Sequence, residues 1–375
     1  MPTPRGWIVG AGGAALLAAG TLLGYAELAV LGALAVLAVA AAAAFVLLAP
    51  PARATVTRTV AASRLRPGTA TRVRLSVDTQ GRRRPGRLAE RVADADGART
   101  AVFRVTGQTR EVGYDLTAER RGVVELGPVR VGGADPLGLA RWRRRRGGTD
   151  RVWVHPDWRV LRALPVGAVS DPDGALEGAR GGGLTFHALR DYAPGDEARH
   201  VHWLSTARRG RLTVREYADT SHPRLTVLVD DRVAPGGRTA LDEVADAAGS
   251  VLATAVRAGL DCEVHLLSGR GADGSAGLPP LLDLLAEAHP ARGADLAAAC
   301  ARVRDRAAGD AVVLVSPELS ATDLRAFGEL RHRFPALVAA VVGPAAPPPA
   351  PGVTAVHAES TGEFVDRWNE APWTR

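Results

Sequence analysis

Hydrophobic positions are distributed along this chain in three unlike ways. From Trp7 to Ala49 nearly every side chain is apolar, and Glu27 is the one charged residue. Such a run is too long for one membrane crossing and fits two helices of about 18–22 residues each. Gly24-Tyr25-Ala26-Glu27 supplies the break, with a tyrosine suited to the membrane interface. A cleaved signal peptide has an apolar core only about half as long. The pattern therefore predicts a transmembrane hairpin over residues 1–50.

The second pattern, over residues 51–154, is one of short alternating segments: Thr55–Ala61, Thr71–Asp78, Val102–Thr106, Glu111–Ala118 and Val123–Val131. Turns rich in Pro, Gly and Asp separate them, which predicts an antiparallel β-sandwich of immunoglobulin-like layout, without the Cys-Trp-Cys pattern of a true immunoglobulin domain. The third pattern, over residues 223–375, alternates strand and helix. Leu225–Val229, Val264–Leu267, Ala311–Val315 and Ala336–Val342 read as buried strands. Thr239–Ala258, Pro280–Ala288, Asp295–Arg306 and Ala321–Arg333 read as helices between them, and the alternation predicts a parallel sheet covered on both faces. Gly343–Gly352 is an exposed linker leading to a strand at Val353–His357 and a closing helix at Thr361–Asn369. Residues 155–222 remain as a connector.

Charge refines this picture. The net charge is +7 over 375 residues, and every basic residue except histidine is arginine, so the lysine-dependent phosphate loop is excluded. Arg5 precedes the first span, Arg53 and Arg58 follow the second, and the turn between them holds only an acid. The positive-inside rule then puts everything after Pro50 in the cytoplasm of the cell. Cys262 and Cys300 form no CxxC pair and sit in apolar surroundings, as buried reduced thiols of such a compartment would. Arg141-Trp-Arg-Arg-Arg-Arg146 is the densest basic cluster. It is open to three readings: contact with anionic lipid, a solvated edge, or contact with nucleic acid, the last the least favoured.

The segment Arg190–Tyr217 concentrates fixed charge and aromatic surface just before an apolar strand. Arg190, Tyr192, Gly195, Asp196, Arg199 and Trp203, with Arg208 following, reproduce an Arg-x-Tyr-x-x-Gly-Asp-x-x-Arg-x-x-x-Trp pattern. With the upstream Asp135-Pro-Leu-Gly-Leu139 turn, this resembles the bacterial domain of unknown function 58 family. The resemblance implies a membrane anchor, a β-domain and a von Willebrand A-like α/β domain. It also implies work beside a MoxR-type AAA+ ATPase. Metal-binding domains of that type open with Asp-x-Ser-x-Ser, oxygen ligands suited to a hard cation. Here the matching positions hold Asp230, Arg232 and Ala234, alanine stands at Ala294, and Ser316-Pro317 replaces a later aspartate. Asp230 is thus a degenerate metal position, and neither metal nor other cofactor is expected.

Locally, Tyr192-Ala-Pro-Gly-Asp196 has the composition of a type II turn. Arg199–Leu204 reads as a strand paired with Leu212–Tyr217. Arg190, Arg199 and Arg208 either pair with Asp191, Asp196 and Glu216 to lock that hairpin, or form a docking face or ligand cleft. His200 and His202 share one strand face, a spacing seen at metal sites, but zinc wants a third ligand that the sequence does not supply. His187 and His222 would need the fold to bring them near. No Gly-x-Ser-x-Gly elbow is present, Ser205 has no evident triad, and Gly181–Gly183 reads as a connector. The sequence favours a non-enzymatic, membrane-anchored adaptor. The competing expectation is a metal-dependent hydrolase or nuclease using Asp196, His200 and His202.

Overall fold

The apolar run folds as two helices, α1 (Pro4–Leu23) and α2 (Ala26–Leu48), each long and apolar enough to cross a membrane. Thr3 caps α1 by accepting the Gly6 N–H, and Gly24, at φ +77°, ends it in the left-handed conformation that glycine adopts without strain. The helices approach closely because small residues face each other. A Cβ added at Gly32 would lie 2.3 Å from Leu17 N, and one at Gly20 2.4 Å from Ala29 N. Leu31, Leu34 and Leu37 stay exposed around α2, as lipid-facing residues would. Both helices fit a membrane anchor.

The computed structural model describes residues 1–48, 53–80, 87–104, 111–166, 184–191, 203–219, 223–306 and 309–373, which form two units, Met1–His155 and Pro156–Arg375. The first unit continues with β1 (Arg53–Val60), β2 (Arg64–Leu65), β3 (Ala70–Gln80), β4 (Arg87–Asp94), β5 (Gly97–Arg104), β6 (Glu111–Thr117), β7 (Gly122–Ala134), β8 (Arg141–Arg146) and β9 (Asp150–Val154). One sheet runs β1-β3-β6, the other β2-β9-β7-β4-β5 with β8 also on β7. Their inner faces interdigitate: Val56, Leu75 and Val77 of the first meet Leu88, Val129 and Val131 of the second. This is the expected sandwich with two differences. The β2–β9 pairing is parallel, and β2, β4, β8 and β9 lie outside the segments predicted as strands. In β4 the alternation is masked because the inward position between Leu88 and Val92 holds Glu90.

The second unit begins with an extended segment rather than a free connector. Residues 156–166 run along the α/β core, burying Leu161, Leu164 and Val166. The Leu161 N–H donates to Thr254 Oγ1 at 2.9 Å, and the Trp368 indole donates to the Ala163 carbonyl at 2.9 Å. The order is then β10 (Leu184–Asp191), α3 (Trp203–Arg209), β11 (Thr213–Asp219), β12 (Arg224–Val229), α4 (Gly237–Arg257), β13 (Asp261–Leu266) and β14 (Gly271–Asp273). It continues with α5 (Leu278–Glu287), α6 (Leu296–Arg304), β15 (Ala311–Ser316), α7 (Ala321–Gly328), a 3-10 turn at Glu329–His332, β16 (Ala336–Val342), β17 (Thr354–Ala358) and α8 (Thr361–Glu370).

The large sheet has the order β14-β13-β12-β15-β16-β17, parallel except for the short edge strand β14. Val227 and Val313 point to the layer of α4, α5 and α8, while Leu228 and Leu314 point to that of α6 and α7. Each central strand is buried on both faces, which is why it reads as an unbroken apolar run.

Candidate functional site

In a doubly wound sheet the crevice forms where successive strands depart to opposite sides, beyond their carboxyl ends. Here β12 is followed by β13 on one side and neighbours β15 on the other, so the switch point lies between β12 and β15. Asp230 and Asp231 follow β12 directly and Ser316 ends β15; they are only 2 %, 1 % and 0 % exposed.

A guanidinium fills the space between the carboxylates. Arg232 donates from Nε to both Asp230 oxygens (3.0 and 3.1 Å) and from Nη2 to Asp230 Oδ2 (2.7 Å). Its backbone N–H closes a turn onto Asp230 Oδ1 at 3.0 Å. Nη1 reaches across to Asp323 Oδ1, also at 3.0 Å. The Ser316 hydroxyl lies 2.7 Å from Asp230 Oδ2 and 2.6 Å from the Glu318 carbonyl, two acceptors for its single proton. The Asp230 hydrogen bond raises the Arg232 pKa further, against the opposing effect of burial, so the cation is permanent.

Asp323 is held by its own helix. Ser320 and Asp323 form a capping box at the start of α7, with Asp323 Oδ2 accepting from the Ser320 N–H and hydroxyl. Burial raises the Asp323 pKa, but those hydrogen bonds and Arg232 outweigh it and lower the group overall. Asp231 turns away to accept the Ser268 N–H at 3.0 Å. Asp295, beside the expected ligand position at Ala294, instead caps α6 by accepting the Ala297 N–H. Among the described residues, no group of three or more His, Cys, Asp or Glu is arranged to hold a metal ion.

Asp230, Arg232 and Ser316 can be located from the sequence; Asp323 escapes it, because it arrives from a helix 91 residues further on. The Ser-x-x-Asp capping signature at Ser320 is the signal available for it. Both thiols are buried, and burial pushes Cys262 up to about 11 and Cys300 up to about 12, so both stay protonated near neutral pH.

Where it is described, the signature segment folds differently from expectation. β11 pairs with β10, Arg190 opposite Val214 and Asp191 opposite Thr213. Trp203 instead opens α3, where it is 67 % exposed, and Arg208 lies near the end of that helix. Leucine, alanine and arginine between Trp203 and Arg209 favour helix, and Gly210 stops it at φ +65° with its N–H on the Thr206 carbonyl. Tyr192, Gly195, Asp196, Arg199, His200 and His202 lie outside the described residues, as does His222.

No curated protein matches the chain at a significant level. Among solved structures, a DUF4785 family protein from Legionella pneumophila is similar at 14 % identity and a TM-score of 0.19, over 26 % of this chain and 28 % of that one. Cwp6 from Clostridium difficile is similar at 10 % identity and a TM-score of 0.21, over 84 % of this chain and 39 % of that one. A beta-glucosidase from Listeria innocua is similar at 12 % identity and a TM-score of 0.15, over 27 % and 17 %. The chain thus spans less than half the length of each, and TM-scores this low establish no common fold. The family described as "Protein of unknown function DUF58" matches residues 188–368, from the middle of β10 to the last turn of α8, and over those residues the chain resembles that family.

Proposed function

We propose that this chain is a membrane-anchored protein-interaction module that docks a partner protein through a metal-independent face at the carboxyl end of its parallel sheet. The observation that carries this reading is Arg232, whose guanidinium lies where two carboxylates and a hydroxyl would otherwise offer oxygen ligands to a divalent cation. Of its five N–H groups, three are used on Asp230 and Asp323, leaving others for an incoming acceptor. Val233, 58 % exposed beside it, supplies an apolar contact. Guanidinium and apolar side chains together are what protein interfaces enrich.

In this reading the soluble parts lie in the cytoplasm, and the sheet order with one antiparallel edge strand supports a von Willebrand A-like domain. The partner is a MoxR-type AAA+ ATPase, the class implied by the family resemblance, or an envelope-assembly complex. The full-length chain, solubilised from membranes and immobilised, should retain that ATPase. Val233→Asp should lower retention by about tenfold, as losing a central apolar contact does. Retention unaffected by both Val233→Asp and Arg232→Ala, or no retention at all, overturns the proposal. Proteolysis of the soluble units from outside intact spheroplasts overturns the cytoplasmic orientation.

A further inference from the structure

The turn Asp135–Leu139 is tied to the helical hairpin by both backbone and side chains. Asp135 is buried, accepting the Leu137 and Ala140 N–H groups, and Gly138 closes the turn at φ +70°. The start of the chain pairs against it. Thr3 N–H donates to the Leu139 carbonyl at 2.8 Å, Pro2 bridges Ala140, and Arg141 N–H donates to the Met1 carbonyl at 2.9 Å. The Met1 ammonium returns a bond to the Arg141 carbonyl at 2.9 Å. Leu139 and Ala140 pack among Val9, Ala38, Val39, Ala42 and Val46, so the turn seats between the first turns of α1 and the last turns of α2. A Cβ on Gly6 would lie 2.1 Å from the Leu139 carbonyl oxygen, which leaves no room for any other residue there.

Two features of this seat are unexplained by folding. Leu137, at the tip of the turn, is 65 % exposed although its neighbour Leu139 is buried. Directly after the turn, β8 projects Arg143, Arg144 and Arg145 into solvent, and no acid occurs between Pro136 and Thr149. Arg5 lies in the first turn of α1, also exposed. An apolar tip followed by exposed arginines with no acid nearby in sequence, at the end of a pair of apolar helices, matches the layering of a bilayer surface: hydrocarbon, then anionic headgroups.

We infer that the Asp135–Leu139 turn and the first arginines of β8 form a seat for anionic phospholipid headgroups, with Leu137 dipped into the membrane interface and Arg5, Arg141 and Arg143 facing phosphates. β8 advances about 3.3 Å per residue, so Arg144, Arg145 and Arg146 lie more than a Debye length of about 8 Å from Arg141 along the strand. Arg141 and Arg143 therefore carry most of the preference. The inference rests on the membrane-anchored reading above.

The test uses the full chain in nanodiscs holding equal zwitterionic and anionic phospholipid, with bromine on the acyl chains of one or the other. Leu137→Cys carries a bimane fluorophore; Leu16→Cys, on the exposed side of α1, carries it as a reference. Bromine on the anionic lipid should quench the Leu137→Cys label at least about threefold more than bromine on the zwitterionic lipid, from attraction by two arginines. Arg141→Gln with Arg143→Gln should bring that ratio to about one. Equal quenching by both lipids in the parent sequence overturns the lipid seat while leaving the anchor intact. An unquenched Leu16→Cys label overturns the anchor itself. A single-stranded oligonucleotide that abolishes the parent's lipid ratio at moderate salt assigns the arginines to nucleic acid and also overturns the seat.

Discussion

Two clusters in this molecule set an arginine against carboxylates, and they differ in what surrounds them. In the sandwich, Arg58 of β1 donates from Nε to Glu90 of β4 at 2.6 Å, Tyr114 of β6 donates to the other Glu90 oxygen at 2.8 Å, and Asp150 of β9 takes Nη1. Arg58 and Glu90 side chains are 4 % and 0 % exposed, and Arg58 Nη2 is buried without a partner. In the α/β unit, Arg232 is 29 % exposed over an Asp230 that is 2 % exposed. The sealed cluster joins strands of both sheets, and only Asp150 at its rim, 54 % exposed, meets solvent. An apolar pair would fill such a site as stably, so its use is to specify which strands face each other. The open cluster sits at the switch point, where the fold gathers side chains from separate strands, and keeps part of its guanidinium outward. The same chemistry is a register device in one place and a presented charge in the other.

The largest expected effect comes from the sealed cluster. Glu90→Ala removes the acceptor shared by the buried Arg58 guanidinium and Tyr114 and should cost about 3–5 kcal/mol in a urea or thermal unfolding measurement. Arg58→Met combined with Glu90→Leu removes both charges and should fall within about 1 kcal/mol of the parent. If Glu90→Ala alone were that mild, the distinction between sealed and open clusters would collapse.

How much can be read from the sequence depends on whether a residue's role is local. The apolar helices and the βαβ pattern declare themselves, because burial on all sides writes unbroken apolar runs such as Leu225–Val229. β4 and β8 do not. Glu90 occupies an inward position that only its Arg58 partner, 32 residues away, makes tolerable. β8 is a strand because β7 pairs with it over its whole length, although four consecutive arginines favour no strand by themselves. Arg199–Leu204 reads as a strand from its aromatic and β-branched residues, yet the glycine stop at Gly210 selects a helix from Trp203. At the site, Asp230 and Arg232 are neighbours whose pairing can be suspected locally. The Asp323 contribution depends on how α7 docks, which no spacing records.

The open cluster gives a second, smaller test. Arg232→Ala leaves Asp230 with the Ser316 hydroxyl and a backbone N–H, so the loss should be about 1–3 kcal/mol. The same variant exposes two carboxylates and a hydroxyl to cations that prefer oxygen ligands. Millimolar Mn²⁺ should raise the melting temperature of Arg232→Ala and leave that of the parent unchanged. An equal shift in both proteins would mean that the guanidinium does not stand in for a cation.

The smallest effect is expected where the arrangement reaches the surface. Glu263 of β13 accepts from Thr226 Oγ1 at 3.0 Å and lies 3.2 Å from His265 Nε2 and 3.4 Å from Arg306 Nη1. The hydrogen bond with His265, aided by Thr226 and Arg306 against the cost of burial, lowers its pKa from 4.5 to about 2. A carboxylate whose folded pKa is depressed contributes stability above its unfolded value and loses it as pH falls through the folded one. The contribution is therefore complete above about pH 5 and fades between about pH 4 and pH 2. Solvent screening and the 54 % exposure of Arg306 hold it to about 1 kcal/mol or less. Glu263→Gln should flatten that limb of a stability-against-pH curve and leave the neutral-pH cost near that of one hydrogen bond. If the limb keeps its full slope, the acid sensitivity belongs to other groups, such as Asp323, whose lowered pKa titrates with the same sign.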